Sequence, residues 1–329
     1  MIITQTPLRI GLLGGGTDLP GYYREHGGRV LNCALDKYVY VIVKQRFDDD
    51  IYVNYSRKEI VSRVEDLQHE LVREAMQMTG VQNGVEITTL ADIPSAGSGL
   101  GSSSAVTVGL LHALFAYQGR QVSAEELAKR ACVIEIERCG KPIGKQDQYI
   151  AALGGIRDIR FGPGDEVVAE EVALSPAERR VLQRQVMLFY TGVTRSANSI
   201  LAEQNANIAS TLPQLHILRD LAGFAVDRLR NGDVDAIGTA VRESWEVKRK
   251  LASGVSNDRI DVAVSRALDA GASGAKLTGA GGGGFLLVIC PVERQHAVRQ
   301  SLADMQELPV KLDRLGSRIV LNVLRDIWG

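Results

Sequence analysis

A glycine- and serine-rich segment that runs directly into an apolar helical stretch constrains this chain more than any other feature. The segment is PSAGSGLGSSSAVTVGLLHAL, residues 94–114. Glycine lets a backbone adopt positive φ and approach a ligand closely. A helix that follows such a loop presents unpaired N–H groups and the positive end of its dipole, which suit a phosphate. The segment therefore predicts a phosphate-binding loop, with a tight strand-to-helix connection as the alternative.

The serines after the glycines refine this prediction. Ser102 follows Gly101, so the chain lacks the lysine of a Walker-type loop. Three consecutive serines exceed what helix capping needs. One hydroxyl could cap the helix while another ligates Mg²⁺, a hard cation that prefers oxygen. We expect a phosphate-binding loop of another kind.

Bulk properties limit the classes of partner. The 329 residues exceed one ordinary core, and 38 basic against 39 acidic residues give a net charge of −1. No polyelectrolyte partner is implied, so we expect no nucleic acid. We expect no membrane partner either, because no apolar run approaches the roughly 20 residues of a membrane span and the start lacks a secretory pattern. The cysteines lack zinc spacing and predict buried thiols in a reducing cytoplasm: Cys33, Cys132, Cys139 and Cys290.

The order of elements favours an α+β fold over a doubly wound sheet, because strands and helices mix without regular βαβ alternation. Residues 8–13 (LRIGLL) predict a strand, and residues 107–117 predict a buried helix that is apolar on every side. Ser123 with Glu126 fits a capping box, which starts a helix running to about Cys139.

A break in the pattern at residues 161–166 (FGPGDE) predicts a domain boundary. We therefore expect two domains, residues 1–165 and residues 166–329. The sequence gives no information on oligomeric state.

The first motif with chemical content is TPLRIGLLGGGTDLPGYY, residues 6–23. Its glycines do not form a dinucleotide fingerprint, and no βαβ unit follows. A strand, a glycine turn and a Thr-Asp helix cap would explain it structurally. In the functional interpretation, Asp18 accepts hydrogen bonds from sugar hydroxyls and Arg9 is a fixed cation near a transferring phosphate.

The second motif is IEIERCGKPIGKQDQYIAALGG, residues 134–155. Helical spacing places Glu135 on a face of small apolar residues, where a carboxylate needs a partner such as a nucleotide-bound cation. Glu137 has a more solvated neighbourhood, and we expect it at the surface, paired with Arg130. Glu135 is therefore our candidate metal ligand.

Asp147 follows in a loop crowded with polar groups. It could be a helix cap. As a mechanistic residue it would orient an attacking hydroxyl and accept its proton late, which suits a loose phosphoryl-transfer transition state.

The third motif is KLTGAGGGGFLLVIC, residues 276–290. Four consecutive glycines cost conformational entropy and need a reason. A linker is one, but linkers rarely run straight into a buried strand such as FLLVI. We expect a backbone wall against a substrate or a triphosphate.

These motifs, in this order, resemble the GHMP kinases (galacto-, homoserine, mevalonate and phosphomevalonate kinases) over nearly the whole chain. Within that superfamily the chain most resembles the D-glycero-D-manno-heptose 7-phosphate kinases, through residues 6–23, 143–155 and 190–197 and the stretch LDKYVYVIVKQRFDD. The resemblance implies an N-terminal domain like a ribosomal-protein domain and a ferredoxin-like C-terminal domain. ATP and Mg²⁺ would bind between them.

The resemblance also implies roles for individual residues. Asp147 would be the catalytic carboxylate facing Arg9, and Mg²⁺ would be held by Ser103 and Glu135, with Glu137 as a minor alternative. The residues that would bind the nucleotide are Pro94, Gly97, Ser98, Gly99, Leu100, Gly101, Ser102, Ser103 and Ser104. The candidate substrate residues are Gly15, Gly16, Thr17, Asp18, Arg24, Lys145, Thr191, Arg195, Gly279, Ala280, Gly281 and Gly282.

Two departures from related kinases bear on the substrate. Gly15 and Gly16 stand where galactokinases carry a Glu-His pair, which makes room for a different or larger sugar. Mevalonate kinases use lysine at the position of Arg9, which disfavours isoprenoid substrates. The resemblance implies transfer of the ATP γ-phosphate to the anomeric hydroxyl of a heptose 7-phosphate, with Arg24, Lys145 or Arg195 binding its phosphate.

Two other activities stay open at this point. One is a 1-kinase of an unphosphorylated sugar such as a hexose, heptose or fucose. The other is a catalytically silent sugar sensor on the same fold, which the presence of Asp147, Ser103 and Glu135 disfavours.

Overall fold

A computed structural model describes residues 1–93, 97–193 and 197–323. The described strands are β1 (Ile2–Leu13), β2 (Gly28–Gln45), β3 (Ile51–Asn54), β4 (Lys58–Val61), β5 (Val85–Ala91), β6 (Ile156–Phe161), β7 (Val167–Glu171), β8 (Val186–Tyr190), β9 (Gly274–Leu277), β10 (Phe285–Ile289), β11 (Gln306–Glu307) and β12 (Arg318–Asn322).

The described helices are α1 (Pro20–His26), α2 (Glu70–Thr79), α3 (Ser102–Tyr117), α4 (Ala124–Cys132), α5 (Gln146–Leu153), α6 (Pro176–Gln185), α7 (Ala197–Ala206), α8 (Leu212–Arg230), α9 (Ala236–Lys248), α10 (Asp258–Asp269) and α11 (Gln295–Ser301). In the described ranges no helix is both long and apolar enough to cross a membrane. The mixture of helices and strands confirms the α+β class.

The described strands form two sheets. In the larger sheet the strand order is β12-β1-β2-β5-β3-β4, and β6 joins β2 and β7 off this path. The smaller sheet has the order β11-β8-β10-β9, and its pairings are antiparallel. Helix α3 packs on β1 and β2 of the larger sheet. Its residues are buried over most of its length, which explains why it is apolar on every side.

The pairing of two strands crosses the line at which we expect the chain to divide. Strand β7 begins at Val167, yet it pairs with β6 in the larger sheet. Strand β12 returns near the end of the described chain to pair with β1. The division into residues 1–165 and 166–329 therefore stays a prediction. Sheet pairing groups β7 and β12 with the strands of the first domain.

A buried lysine connects the two sheets. Lys276 of β9 donates from Nζ to the carbonyl oxygen of Leu12 in β1, at 2.8 Å. Burial, with the nearby cations Lys248 and Arg9, lowers the pKa of Lys276 well below its usual value. The bond fixes β9 of the smaller sheet against the strand that also carries Arg9.

Two helices differ from the sequence prediction at their ends. Helix α3 begins at Ser102 rather than at residue 107, because Gly101 adopts the left-handed conformation immediately before it. Ser123 accepts from the Glu126 N–H as expected, but α4 ends at Cys132 and a π-helical turn occupies residues 133–138. This turn carries Glu135, and π-helical turns are frequent at functional sites.

A buried carboxylate ties three elements together. Asp158 of β6 is completely buried and accepts from Arg29 of β2 at 2.8 and 2.9 Å and from Arg160 at 2.8 Å. Arg230, at the end of α8, approaches the same carboxylate at 3.6 Å. The cluster holds α8 on the larger sheet, against which the helix packs.

Asp158→Asn removes the charge at the centre of this cluster and leaves guanidinium groups without their buried counterion. We expect the free energy of unfolding to fall by about 3 kcal/mol. Asp304→Asn is the matched control, since Asp304 is 52% exposed and pairs with Arg266 at 2.6 Å. That variant should lose less than about 1 kcal/mol. Urea denaturation measures both, and equal losses would contradict a structural role for the cluster.

Candidate active site

The centre of the site is an ion pair between two elements that are far apart in sequence. Arg9 of β1 donates from Nε to Asp147 Oδ1 at 2.6 Å and from Nη2 to Oδ2 at 2.5 Å. Asp147 lies in the first turn of α5, where the helix dipole stabilises a negative charge. Such a bidentate contact fixes both side chains, because the guanidinium and the carboxylate are planar and match each other. The structure thus brings together the two predicted catalytic residues.

The glycine loop approaches this pair through its backbone. Arg9 Nη1 donates to the carbonyl oxygen of Gly99 at 2.6 Å, and the Arg9 N–H donates to that of Leu100 at 3.0 Å. Directly after the loop, Ser102 to Ser104 form the first turn of α3. The unpaired N–H groups of this turn make it suitable for an anion.

The glycine loops of the two halves touch backbone to backbone. A Cβ built on Gly99 would lie 2.8 Å from the carbonyl oxygen of Thr278, and one on Gly279 would lie 2.8 Å from the Cα of Gly99. A Cβ built on Gly284 would likewise lie 2.5 Å from the carbonyl oxygen of Ser98. Gly279 and Gly284 of the third motif therefore have to be glycine, because the backbone of the first glycine loop packs directly against them.

Glu135 is a completely buried carboxylate near the loop. Its carboxylate accepts from Ser103 Oγ, from Ser104 Oγ at 2.7 Å and from Gln148 Nε2 at 2.7 Å. Burial raises the pKa of Glu135, while these donors and Lys141 oppose the shift. The Lys141 ammonium lies 3.7 Å from Glu135 and 3.1 Å from Glu70. A cationic group already faces the predicted metal position.

Glu137 differs from Glu135 in every respect. Its side chain is exposed. The expected pairing with Arg130 is wrong, because Arg130 instead donates to Glu126 at 2.6 Å, one helical turn earlier in α4. This pairing follows the i,i+4 spacing that the π-helical turn disrupts further along.

Asp18 is buried at the other side of Asp147. Its Oδ1 accepts from the Gly16 N–H at 3.1 Å and its Oδ2 from the Gln146 N–H at 3.3 Å. Burial, followed by repulsion from Asp147, raises the pKa of Asp18. A Cβ on Gly144 would fall 1.9 Å from Oδ2, so the loop before α5 closes tightly over this carboxylate.

These groups surround one cavity of about 350 Å³, a size typical of small-molecule sites. The predicted residues that line it are Arg9, Gly16, Asp18, Gly97, Ser98, Gly99, Gly101, Ser102, Ser103, Ser104, Glu135, Asp147, Gly279 and Ala280.

Two predicted substrate cations lie elsewhere. Arg24 and Lys145 both pair with Asp165, at 3.0 and 2.9 Å. Asp165 also accepts from the hydroxyl of Tyr23. Neither cation lines the cavity, because the turn at Asp165 draws both side chains towards the β6–β7 connection.

Further predicted residues support the loops rather than line the cavity. The Thr17 hydroxyl donates to Gly14 at 2.8 Å, and the Thr191 hydroxyl donates to Gly284 at 2.9 Å. Gly281 and Gly282 pack against the backbone of Val255. Leu100 is buried, and Gly15 lies beside Lys248 without lining the cavity itself. Pro94 and Arg195 lie outside the described residues.

Two cavity lysines were missed at the level of sequence. Lys141 lies in the second motif, shortly before Lys145, which we selected as a candidate substrate residue. Lys248 ends α9 and donates to the carbonyl oxygen of Gly279 at 2.7 Å. Helical spacing could have found it, since it follows the buried residues Ser244 and Trp245 at intervals of four and three.

Comparison with known proteins identifies the class of protein that has this arrangement. Residues 63–155 match the family model "GHMP kinases N terminal domain" and residues 225–307 match "GHMP kinases C terminal". The chain belongs to the GHMP kinases, with their two-domain α+β fold.

Individual relatives narrow the comparison. The chain is 29% identical to D-glycero-alpha-D-manno-heptose 7-phosphate kinase of Campylobacter jejuni, over 93% of this chain and 94% of that protein. It is 29% identical to L-fucokinase/L-fucose-1-P guanylyltransferase of Bacteroides fragilis, over 90% of this chain and 35% of that longer protein. A crystal structure of a D-glycero-D-manno-heptose 1-phosphate kinase from Bacteroides thetaiotaomicron superposes with a TM-score of 0.83 over 98% of this chain and 100% of that one. At 24% identity, that similarity supports the fold.

Gly99→Ala tests whether the contact between the glycine loops stabilises the protein. Gly119→Ala is a matched control, because Gly119 has the same φ of +72° and nothing within 4 Å of a built Cβ. The control should cost about 1 kcal/mol from left-handed strain alone. Gly99→Ala should cost a further 1–3 kcal/mol, roughly, because its Cβ meets Thr278. Equal midpoints in chemical denaturation would show that the loops separate without cost.

Proposed function

We propose that this protein transfers the γ-phosphate of ATP to the anomeric hydroxyl of a sugar, with D-glycero-D-manno-heptose 7-phosphate as the substrate and the 1,7-bisphosphate as the product. The observation that carries the proposal is the Arg9–Asp147 pair, which shares one cavity with Asp18 and with the start of α3. An anion-binding helix terminus and a fixed carboxylate at one cavity are what phosphoryl transfer to a hydroxyl requires.

The phosphate donor would bind at the loop of residues 97–101 and the first turn of α3. Ser103 and Glu135 offer hydroxyl and carboxylate oxygens, the ligand type that Mg²⁺ prefers. No cluster of three or more His, Cys, Asp or Glu side chains suited to a metal occurs in the described ranges. The donor set fits a cation that keeps phosphate oxygens and water as its other ligands. A bound Mg²⁺ would neutralise charge that develops between the phosphates.

The protein's own residues would then control the acceptor. Arg9 holds the Asp147 carboxylate in one orientation, so that it can accept a hydrogen bond from the attacking hydroxyl. The acceptor oxygen forms the new bond to the γ-phosphorus while the bond to the bridging β,γ-oxygen breaks, and ADP leaves. The hydroxyl proton passes to Asp147 late in this step. Asp18 would bind a sugar hydroxyl at the side of the cavity facing Asp147.

The identity of the sugar rests on the Campylobacter jejuni relative, which is named for heptose 7-phosphate and matches nearly the full length of both chains. Side chains of this protein occupy the room expected at Gly15 and Gly16: a Cβ built on Gly15 would lie 3.2 Å from Lys248 Nζ, and one built on Gly16 would lie 3.4 Å from Leu251 Cδ1. A cytoplasmic location is part of the proposal, because the described cysteines are free and a reducing compartment preserves free thiols.

A 1-kinase of an unphosphorylated sugar is the second candidate. The similarity to a fucokinase over 90% of this chain favours it. The two candidates share the donor site and differ in whether the acceptor carries a phosphate.

A ³¹P NMR time course with Mg·ATP tests the proposal. Heptose 7-phosphate would be compared with unphosphorylated heptose, mannose, galactose and fucose. A new anomeric phosphate signal with the heptose 7-phosphate alone is the expected result. Turnover of a free sugar instead would select the second candidate, and no turnover with any acceptor would contradict both.

Asp147→Asn should retain ATP binding and lose turnover by about 10²- to 10⁴-fold, because the amide accepts no proton. Asp165→Asn is the control: Asp165 lies outside the cavity and has a φ of +63°, which asparagine tolerates. Its turnover should stay near the wild-type value. Calorimetric ATP titration and steady-state kinetics measure the two effects, and near-normal turnover of Asp147→Asn would remove this residue from the mechanism.

Glu135→Gln should raise the Mg²⁺ concentration needed for half-maximal rate by about 10-fold or more, because a charged ligand is lost. Ser103→Ala should act in the same direction. Glu137→Gln is the matched control, since its side chain is exposed, and it should leave the requirement unchanged. A Mg²⁺ titration of the rate in which Glu137→Gln has the larger effect would transfer the metal to that residue.

A further inference from the structure

The cavity contains a cation that the reaction, as described so far, does not use. Three cations line the cavity within the described part of the chain: Arg9, Lys141 and Lys248. Arg9 is paired with Asp147, and Lys141 is paired with Glu70. Among the described residues Lys248 has no carboxylate oxygen within 4.0 Å of its ammonium group. It is therefore the described cavity cation that is available to a charged ligand.

The surroundings of Lys248 place its ammonium group beside the glycine turn. A Cβ built on Gly15 would lie 3.2 Å from Lys248 Nζ and 3.8 Å from Gln146 Nε2. Nζ donates to the carbonyl oxygen of Gly279 at 2.7 Å. An ammonium group has three donors, so this bond leaves two for a ligand. A side chain at position 15 would crowd the ammonium group.

The energetic cost of burying the Lys248 ammonium group also favours an anionic ligand at Nζ. Lys248 is 6% exposed, and a buried ammonium without a counterion is unfavourable. Burial lowers its pKa to about 8; Asp18 and Asp147 raise it and Arg9 lowers it. A dianionic ligand at Nζ would relieve this cost, because the opposite charge favours the protonated form.

We propose that Lys248 binds a phosphate group carried by the acceptor at the end remote from the reacting hydroxyl. The role rests on the proposed function and makes it more specific. The phosphate would meet Nζ from within the cavity that Lys248 lines, while the reacting hydroxyl lies at Asp147. Lys248 then replaces Arg24 and Lys145, which pair with Asp165 outside the cavity, as the residue that selects a sugar phosphate over a free sugar.

Lys248→Met tests the proposal by removing the charge and keeping the length of the side chain. Lys250→Met is the matched control, an identical change at an exposed lysine two residues further on. Calorimetric titration gives the association constant of each variant for heptose 7-phosphate and for unphosphorylated heptose. We expect Lys248→Met to reduce the ratio of these two values about 10- to 100-fold, the range for losing a hydrogen bond to a charged group. An unchanged ratio, or an equal loss with both acceptors, would overturn the proposal and assign Lys248 to the transferring phosphate or to the fold.

Thermal unfolding without nucleotide gives a second readout that does not depend on turnover. Saturating heptose 7-phosphate should raise the Tm of the wild type and of Lys250→Met by roughly 5 °C. It should raise the Tm of Lys248→Met much less. If the wild type is stabilised but phosphorylates neither acceptor, the proposed reaction fails while the phosphate site stands. If the wild type gains nothing over the free sugar, or if Lys248→Met keeps the full shift, the site fails.

Discussion

The ion pair between Arg9 and Asp147 is the interaction on which the rest of the site depends. It joins the long strand β1 to the first turn of α5, and the remaining Nη of Arg9 holds the glycine loop through the carbonyl oxygen of Gly99. Strand, helix and loop therefore meet at one guanidinium group. Because the contact is bidentate and Arg9 is almost fully buried, the carboxylate has little freedom to leave the cavity.

The second half of the chain completes this centre through backbone contacts and through lysines. The loop at Gly279 lies against Gly99, Lys248 bonds to the carbonyl oxygen of Gly279, and Lys276 bonds to that of Leu12 in β1. The Gly279–Gly99 contact and the Lys276–Leu12 bond cross to the larger sheet and its loops, whereas the Lys248 bond holds the Gly279 loop from its own side. Burial, with the nearby cations Lys248 and Arg9, lowers the pKa of Lys276. Positive groups therefore crowd together where the two sheets meet.

Local sequence pattern predicted the parts of the fold that depend on neighbours in the chain. The α+β class, the buried helix after the glycine loop, and the burial of Glu135 against the exposure of Glu137 all follow from spacing and polarity. The partners of long side chains did not. Lys145 and Arg24 look like substrate cations in the sequence, yet the turn at Asp165 captures both. The local sequence pattern does not show that Asp165, some 20 or 140 positions away, pairs with these two side chains.

The glycine run of the third motif shows a related limit. We expected it to face a ligand; Gly279 and Ala280 line the cavity, whereas Gly281 and Gly282 are fixed by the backbone of Val255. Glycine indicates a close approach but does not identify what approaches. For Lys248 the helical spacing was visible, and only the fold brings its ammonium group to Gly15.

A crystal structure with a non-hydrolysable ATP analogue, Mg²⁺ and heptose 7-phosphate would show where the two substrates lie relative to Asp147 and the glycine loop. We expect the γ-phosphate at the first turn of α3 and the anomeric oxygen about 2.6–3.2 Å from the Asp147 carboxylate. An anomeric hydroxyl bound away from Asp147, or nucleotide phosphates bound outside the loop of residues 97–101, would contradict this expectation.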